Sequence, residues 1–395
     1  MSAKAHIVLA AGGTGGHMFP AASLARELMR RKYKVSIITD QRGLRYPGLL
    51  KGIDHQVVSS ASLSGSGFMG KLEGLLGVFG GIFESARILR RGKVKMVVGF
   101  GGYPALPTLA AAWLLRKPYI LHEQNSVLGR VNRLFAARSK VVAASFAHTH
   151  RVPARARGKT VVTGNPVRQE IAAIGAADYP KLTEDSMLRM LIIGGSQGAR
   201  IFSDIVPQAI SLLPASQRQR IQVTQQCRVE DIERVAKTYD AFGIHAEVSP
   251  FFKDIPGRLR WAHLVLARAG ATTVAELTAA GRPAILVPIT GAADDHQRIN
   301  AEALAEGGGG WLISEAEFNA ANLAKHLIRL SSRVEELKKA AEAALSLARP
   351  AATKSLADIV EQPLKKGRTG SRATAAPKRQ PWRTSNKSKK RKERA

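Results

Sequence analysis

The chain has 395 residues, of which 45% are hydrophobic and 23% are charged, as in ordinary globular proteins. This length corresponds to about two to three domains, and the composition excludes a collagen-like, fibrous or wholly disordered chain. The single cysteine, Cys227, excludes a disulfide scaffold and a cysteine-based metal site, and it indicates a reducing compartment such as the cytosol.

Charge is distributed unevenly, although the whole chain carries a net charge of +30. Residues 1–165 hold 25 basic and 6 acidic residues, a net charge of +19. Residues 166–363 hold 22 and 23, a net charge of −1, and residues 364–395 hold 13 and 1, a net charge of +12. The asymmetry predicts that the first half faces a membrane or a phosphate-rich ligand. A generally basic proteome is the alternative.

Apolar strands alternate with helical stretches along both halves. In the first half the pattern predicts strands at 6–10, 34–39, 95–98, 119–121 and 160–162 and helices at 20–31, 107–115 and 129–137. In the second half it predicts strands at 188–193, 221–224, 263–267 and 284–287 and helices at 200–213, 273–280 and 297–306. This alternation is typical of βαβ units, so we expect two doubly wound α/β domains with parallel sheets and a cleft between them.

Residues 68–83 form the most apolar stretch of the chain, flanked by arginines at 87, 90 and 91. The uncharged part is shorter than the about 20 residues that a bilayer-spanning helix needs. Because the N-terminus also lacks a signal-peptide pattern, we expect a soluble or peripheral protein. The stretch is either an interfacial membrane patch or a core helix, and the Lys/Arg-rich tail at 364–395 is predicted to be disordered.

Two glycine loops follow predicted strands in the basic half. We predict that their backbone amides hold a diphosphate-bearing ligand, through Gly12, Gly13, Gly101, Gly102 and Tyr103. Tight turns without a ligand are the alternative. His17 begins a helix, where the helix dipole lowers an imidazole pKa and favours a neutral base, although a purely structural histidine is the alternative.

Polar residues also follow strands elsewhere. Residues 122–125 have the sequence His-Glu-Gln-Asn. They either line a cleft or form a hydrogen-bonded structural cluster. In the second half, the loops at 194–199 and 270–276 repeat the strand–glycine–helix pattern, which suits a nucleotide diphosphate. Glu276 is placed to bind ribose hydroxyls, or else to complement a helix N-terminus. Residues 294–297 lack the ligands for a closed metal site, so we favour sugar hydroxyls there.

Seven motifs stand in order over about residues 5–345: GGTGGHMFPA, GFGGYPALP, LHEQNSVLGRVN, TGNPVR, GGSQGAR, RAGATTVAEL and DDHQRINA. Together they closely resemble the MurG family, UDP-N-acetylglucosamine:undecaprenyl-diphospho-muramoylpentapeptide N-acetylglucosaminyltransferases. The resemblance implies a GT-B fold of two facing Rossmann-like domains, an inverting reaction and no obligatory DxD metal motif. It assigns no metal site and no cofactor besides the donor substrate, and it leaves open whether a divalent ion assists turnover.

The resemblance also implies roles for individual residues. His17 would be the base. The residues implied to contact the donor are Thr14, Gly15, Gly16, Asn125, Arg168, Ser196, Phe252, Ala271, Thr272, Thr273, Val274, Ala275, Glu276 and Gln297. The chain departs from the family pattern at Gln225-Gln226-Cys227-Arg228, where an HQ-x-G turn is common, and at Ala105, where a serine is common.

The implied domains are 1–165, which binds the acceptor and the membrane, 166–345, which binds the UDP-sugar, a returning helix at 346–363 and the tail at 364–395. The implied reaction moves N-acetylglucosamine to the C4 hydroxyl of lipid-linked N-acetylmuramic acid (lipid I) and makes lipid II. The partners would be the donor, the undecaprenyl-diphosphate acceptor, an anionic membrane and other cell-wall and division proteins, with no specific nucleic acid. The enzyme would lie peripherally on the cytoplasmic face of the inner membrane.

Two rival functions stay open at this point. One is another GT-B enzyme, such as a different glycosyltransferase or a UDP-sugar 2-epimerase, which product analysis would separate. The other is a basic nucleic-acid-binding protein, suggested by a pI near 10.8. Against the latter, the basic residues are not interleaved with aromatic residues.

Overall fold

The computed structural model describes residues 4–46, 48–59, 67–195 and 198–366, apart from the side chains of residues 67–75, 293 and 366. Ser196 and almost all of the predicted tail therefore lie outside the described residues. Within them, every strand lies in one of two parallel sheets.

The first sheet contains seven strands of the described chain, in the order β3-β2-β1-β4-β5-β6-β7. The strands are β1 His6–Ala10, β2 Lys34–Thr39, β3 Asp54–Val57, β4 Met96–Gly99, β5 Tyr119–Glu123, β6 Val142–Ala144 and β7 Thr160–Val162. The strand order reverses between β1 and β4, where Ala10 pairs with Gly99. The glycine loops that follow these two strands are therefore neighbours, at the switch point where doubly wound sheets bind ligands.

The second sheet contains six strands of the described chain, in the order β10-β9-β8-β11-β12-β13. The strands are β8 Leu188–Ile193, β9 Ile221–Gln226, β10 His245–Ser249, β11 Leu264–Ala267, β12 Ala284–Leu286 and β13 Gly310–Leu312. Its switch point lies between β8 and β11, where Ile193 pairs with Ala267, so residues 194–195 follow β8 beside the start of the loop at 268–271.

Helices cover both faces of each sheet. They are α1 Gly15–Arg30, α2 Gly67–Arg91, α3 Ala105–Leu114, α4 Arg130–Ala136, α5 Ala154–Arg157, α6 Gln169–Ala172, α7 Arg200–Ser211, α8 Ala215–Arg218, α9 Ile232–Ala241, α10 Ile255–Trp261, α11 Ala271–Ala280, α12 His296–Glu306, α13 Ala320–Ser331, α14 Val334–Ser346 and α15 Ala352–Lys366. In the part of the chain that is described, no helix is both long and apolar enough to cross a membrane.

The observed elements confirm the two-domain parallel α/β architecture, but several boundaries differ from the sequence prediction. Helix α1 begins at Gly15 and not at residue 20, and Pro20 lies inside the helix. Strand β5 extends to Glu123, so His122 and Glu123 belong to the strand instead of following it. Helix α11 begins at Ala271, which places Thr272 in its first turn.

Helix α15 returns to the first domain and packs on α1. Leu356, Ala357 and Val360 are fully buried in the core that α1 shares with the first sheet. Arg31 at the end of α1 donates to Asp358 at 2.5 Å and lies 3.4 Å from Glu361. The chain therefore crosses between the domains twice, once before α6 and once before α15.

Candidate active site between the two domains

The two first-domain glycine loops form one side of the cleft. Gly13, Gly101 and Gly102 have φ of +79°, +77° and +72°, a conformation that glycine adopts without strain. The N–H of Gly13 donates to Asp40 Oδ1 at 2.8 Å, and Asp40 in turn is paired with Arg42. This amide is therefore engaged, and a diphosphate at Gly13 would meet a carboxylate that the sequence analysis did not foresee.

The other residues predicted in these loops differ in exposure. Thr14 is the exposed N-cap of α1, and its hydroxyl makes no capping hydrogen bond. Tyr103 is also exposed, whereas Gly12 is packed so tightly that a Cβ there would lie 2.6 Å from Pro104 Cβ. Gly12 therefore leaves no room for a side chain, whereas Thr14 and Tyr103 expose their side chains to solvent.

His17 lies in the first turn of α1 and faces the second loop. Its Nδ1 atom is 3.0 Å from Gln124 Oε1. A Cβ placed on Gly102 would be 3.1 Å from Nε2, so this nitrogen lies against the backbone of Gly102. Burial lowers the pKa of His17 below its ordinary value of 6.5, an effect that the nearby Glu123 carboxylate opposes. The imidazole is consequently neutral at physiological pH.

Glu123 organises the loop that follows β5. The carboxylate is almost completely buried, and Oε1 accepts from the N–H of Asn125 at 3.0 Å. Oε2 accepts from the N–H of Gly129 at 2.8 Å and from Asn132 Nδ2 at 2.9 Å. Glu123 therefore belongs to a hydrogen-bonded structural cluster, which was one of the two alternatives for residues 122–125. Gln124 contacts the candidate base.

Asn300 of α12 joins the second domain to this loop. Its Oδ1 atom accepts from the N–H of Ser126 at 2.9 Å and from the hydroxyl of Ser126 at 2.8 Å. Its Nδ2 atom donates to Asn125 Oδ1 at 3.2 Å and to the carbonyl of Ala269 at 3.1 Å. The sequence analysis missed Asn300, although its spacing of three residues from Gln297 places both on one face of a helix.

Thr272 of α11 connects the two sides of the cleft directly. Pro20 has no N–H, so the carbonyl of Gly16, four residues earlier in α1, has no intrahelical partner. The hydroxyl of Thr272 donates to that carbonyl at 3.3 Å. The first turn of α11 therefore contacts Gly16, the residue that precedes His17 in the chain.

The first turn of α11 faces the cleft with its backbone. The amides of Ala271, Thr272 and Thr273 are at helix positions that lack intrahelical partners, whereas the N–H of Val274 donates to Gly270. Val274 and Ala271 are buried in the core of the second domain, while Ala275 is half-buried. Any contact of Val274 with a ligand would therefore involve its backbone alone.

Arg168 and Glu276 form an ion pair between the inter-domain segment and α11. Arg168 Nε and one terminal guanidinium nitrogen lie 3.0 and 2.9 Å from Glu276 Oε1. Burial raises the pKa of Glu276, and Arg168 opposes this shift. The guanidinium also lies over the ring of Phe19, 5.2 Å from its centre. Two residues predicted for different parts of the donor thus bind each other.

The remaining predicted donor residues line the rim of the second domain. Phe252 is buried, with the guanidinium of Arg258 4.2 Å from its ring centre. Gln297 Oε1 accepts from the N–H of Ile289 at 3.1 Å, which ties α12 to the loop after β12. Asp294, which has a φ of +56°, pairs across the cleft with Arg133 at 2.8 Å and with Arg151.

Most of the residues at which the chain departs from the family pattern are buried. Gln225 is fully buried and accepts a hydrogen bond from the hydroxyl of Tyr239. Cys227 is buried as well, and burial raises its pKa. Arg228 packs on the glycine loop, since a Cβ on Gly198 would be 3.1 Å from Arg228 Cγ. Ala105 is buried at the start of α3.

Among the described residues, no cluster of three or more His, Cys, Asp or Glu side chains is arranged to hold a metal ion. The groups gathered in the cleft are instead an imidazole, amides, carboxamides, an ion pair and a helix N-terminus. These groups suit an anionic ligand with hydroxyls.

Each of the two domains matches a known protein family. Residues 7–144 match the glycosyltransferase family 28 N-terminal domain, and residues 189–362 match the glycosyltransferase family 28 C-terminal domain. A relative from Sphingopyxis alaskensis is 48% identical over 361 residues, which cover 91% of this chain and 92% of the relative. A relative from Rhodospirillum rubrum is 49% identical over 360 residues, with 91% and 92% covered. Both are named UDP-N-acetylglucosamine–N-acetylmuramyl-(pentapeptide) pyrophosphoryl-undecaprenol N-acetylglucosamine transferase.

Solved structures agree with this assignment. MurG of Acinetobacter baumannii matches with a TM-score of 0.73 and 29% identity, covering 91% of this chain and 99% of that structure. A UDP-N-acetylglucosamine 2-epimerase of Listeria monocytogenes matches with a TM-score of 0.64 but only 14% identity, over 92% and 98% of the two chains, and so shares the fold alone. These findings confirm the GT-B fold and the resemblance carried by the seven motifs. The chain belongs to glycosyltransferase family 28 and, within it, to the MurG family of N-acetylglucosaminyltransferases.

Proposed function

We propose that this enzyme transfers N-acetylglucosamine from UDP-N-acetylglucosamine to the C4 hydroxyl of N-acetylmuramic acid in undecaprenyl-diphospho-muramoylpentapeptide, with inversion, and so makes lipid II. The names of relatives that are nearly half identical over nine-tenths of the chain support both substrates. The observation that carries the proposal is the contact at Gly16, which brings a neutral histidine of one domain next to the α11 N-terminus of the other.

His17 is the proposed base. The acceptor hydroxyl attacks the anomeric carbon from the face opposite UDP, and Nε2 takes its proton as the new glycosidic bond forms. The bond from the anomeric carbon to UDP breaks, and its electron pair leaves with the diphosphate. Free amides at the start of α11 and the helix dipole stabilise this charge. The product carries a β-1,4 linkage.

Arg168 and Glu276 are the proposed donor contacts that change partners on binding. In the structure they pair with each other. With the donor in place, Glu276 would accept hydrogen bonds from the ribose hydroxyls, and Arg168 would pair with the diphosphate. Gln297 and Asn125 would hold the sugar, the backbone beside Phe252 would bind the uracil base, and Ser196 would contact the diphosphate.

The acceptor diphosphate is proposed to lie among Gly12, Gly13, Gly101, Gly102 and Tyr103, with Asp40 released from Gly13. The displacement needs no redox cofactor, and the effect of added Mg²⁺ or EDTA on turnover measures any role of a divalent ion.

A membrane surface is the proposed third partner. The enzyme would bind peripherally to the cytoplasmic face of the inner membrane, where other cell-wall and division proteins are further proposed partners. Leu76, Phe79 and Phe83 share one face of α2 and are 62%, 60% and 73% exposed. Val78 and Ile82, predicted for the same patch, are half-buried on another face. Arg87, Arg90 and Arg91 follow on the same helix, so an apolar face adjoins basic charge, as in interfacial helices.

Product analysis tests the function itself. Labelled UDP-N-acetylglucosamine and a lipid I analogue should give the β-1,4 disaccharide, and the H17A enzyme should turn over about 10²–10⁴-fold more slowly, because a general base contributes this much. Donor affinity should be nearly unchanged in H17A. An epimerised UDP-sugar formed without acceptor would indicate the 2-epimerase instead, and normal turnover of H17A would reject the base.

The contact between Gly102 and His17 is tested by two matched alanine variants. G102A places a methyl group 3.1 Å from His17 Nε2 and should lower kcat strongly. G52A is the control, since Gly52 has a similar φ of +76° but no atom within 4 Å of the added Cβ. Both variants carry the same backbone strain. Equal kcat losses in the two would show that strain, and not contact with the imidazole, is responsible.

The donor-site assignment is tested by E276A. Loss of a hydrogen-bonding carboxylate should weaken UDP-sugar binding by about 1–3 kcal/mol, measured by calorimetry. E335A is the control, because Glu335 is an exposed glutamate that pairs with Lys338 on α14. Donor affinity equal to that of the wild type would place the ribose elsewhere and leave Glu276 as a partner of Arg168 alone.

Vesicle co-sedimentation tests the membrane face. L76E combined with F79E should reduce binding to anionic vesicles while UDP-sugar binding survives. L212E combined with F242E is the control, because these second-domain side chains are exposed too, at 57% and 44%. Deletion of residues 367–395 should weaken binding chiefly at low salt, where charges are least screened. Unchanged sedimentation of the first double variant would contradict this face.

A further inference from the structure

A continuous series of hydrogen bonds runs from His17 into the interior of the first domain. His17 Nδ1 lies 3.0 Å from Gln124 Oε1. Gln124 Nε2 lies 3.0 Å from His122 Nδ1, and His122 Nε2 lies 3.3 Å from the carbonyl oxygen of Gly164. His122 and Gln124 are almost completely buried, so water does not compete for these contacts.

The direction of every bond in the series follows from its inner end. The carbonyl of Gly164 can only accept, so His122 Nε2 carries a proton and donates it. Burial lowers the pKa of His122 to about 4, so its ring is neutral and Nδ1 accepts. Gln124 must then present its NH₂ group to His122, a choice that its second contact, with the carbonyl of His122 at 3.3 Å, reinforces.

The outer end of the series is thereby fixed as well. With its NH₂ group turned inward, Gln124 presents only its carbonyl oxygen to His17, and this oxygen can only accept. Nδ1 of His17 must carry the ring proton. The lone pair then resides on Nε2, the nitrogen that lies against Gly102 at the cleft.

We propose that Gln124 and His122 are positioning residues that hold His17 in the Nδ1–H tautomer, so that Nε2 is the atom that accepts the proton of the acceptor hydroxyl. The inference rests on the proposed role of His17 as base. Neither side chain touches substrate; both act through the imidazole.

An uncharged amide in this position has a chemical consequence. A carboxylate beside Nδ1 would fix the same tautomer but would also stabilise the protonated ring. The charged or titratable groups that act on His17 are Glu123, His122 and His296. The carboxylate of Glu123, the side chain of Gln124 and the backbone of Phe100 all raise the His17 pKa, and burial outweighs them. Gln124 therefore orients the base without adding negative charge, and we expect the acid limb of the kcat profile to follow the lowered pKa of His17.

The tautomer can be measured directly in the full-length protein. Imidazole ¹⁵N NMR at neutral pH, with signals assigned through H17A and H122N, should show His17 protonated at Nδ1 and His122 protonated at Nε2. In Q124L the preference of His17 for the Nδ1–H form should disappear. An unchanged His17 signal in folded Q124L, or an Nε2–H form in the wild type, would overturn the proposal.

Kinetics of a second variant keep the proposal testable if Q124L does not fold. Q124E retains an acceptor for Nδ1 but adds a negative charge, so the acid limb of the kcat profile should move to higher pH. Q124L should lower kcat about tenfold or more, within the roughly 10²–10⁴-fold that a base contributes, without changing the donor KM. An unmoved acid limb in Q124E would contradict the proposal. Normal turnover of H17A would instead reject the base assignment itself, so the two failures are distinguishable.

Discussion

The carbonyl of Gly16 is the constraint on which the cleft depends. Pro20 leaves this carbonyl without a helical partner, and the hydroxyl of Thr272 supplies one from the other domain. Because Gly16 precedes the candidate base and Thr272 lies in the first turn of α11, one hydrogen bond joins the proposed proton-accepting side of the site to the proposed anion-binding side. The switch points of the two sheets supply the loops that meet there.

Many contacts between the domains are polar, although Phe146 of the first domain packs on the apolar core of the second. Asn300 binds Ser126 and Asn125, and Asp294 binds two arginines of the first domain. Hydrogen bonds and ion pairs of this kind can be exchanged for substrate contacts, as we propose for Arg168 and Glu276. Polar interfaces between domains generally permit relative motion. Gly164 lies where the chain passes from the first domain to the second. Its φ is +82° and an added Cβ would lie 2.4 Å from Arg349 Cβ, so both the backbone conformation and the space require glycine there.

Much of the fold could be predicted because central strands are buried on both faces and form apolar runs, as in β1 and β8. The strands that the pattern missed are edge or very short strands. All four side chains of β3 are exposed, and β13 has only three residues, so neither leaves an apolar signal. Residues 67–91 form helix α2 although several glycines, which have a low helix propensity, lie within it, and α2 packs on α3.

The site was predictable as a set of loops but not as a set of contacts. Glycine patterns and strand ends located His17, residues 122–125 and α11 at the cleft. The pairing of Arg168 with Glu276, 108 residues apart, and the occupation of the Gly13 amide by Asp40 depend on tertiary structure that no local spacing encodes. Gln124 drew no separate prediction, because its role appears only when the bonds to both histidines are seen.

A structure of the enzyme with UDP-N-acetylglucosamine bound tests the central claim most directly. The account predicts the diphosphate at the amides of Ala271–Thr273, Arg168 released from Glu276, and the sugar lying toward the cleft. The face of the anomeric carbon opposite UDP would then be open to an acceptor hydroxyl within hydrogen-bonding reach of His17 Nε2. A nucleotide bound at the first-domain glycine loops, or an anomeric carbon facing away from His17, would contradict it.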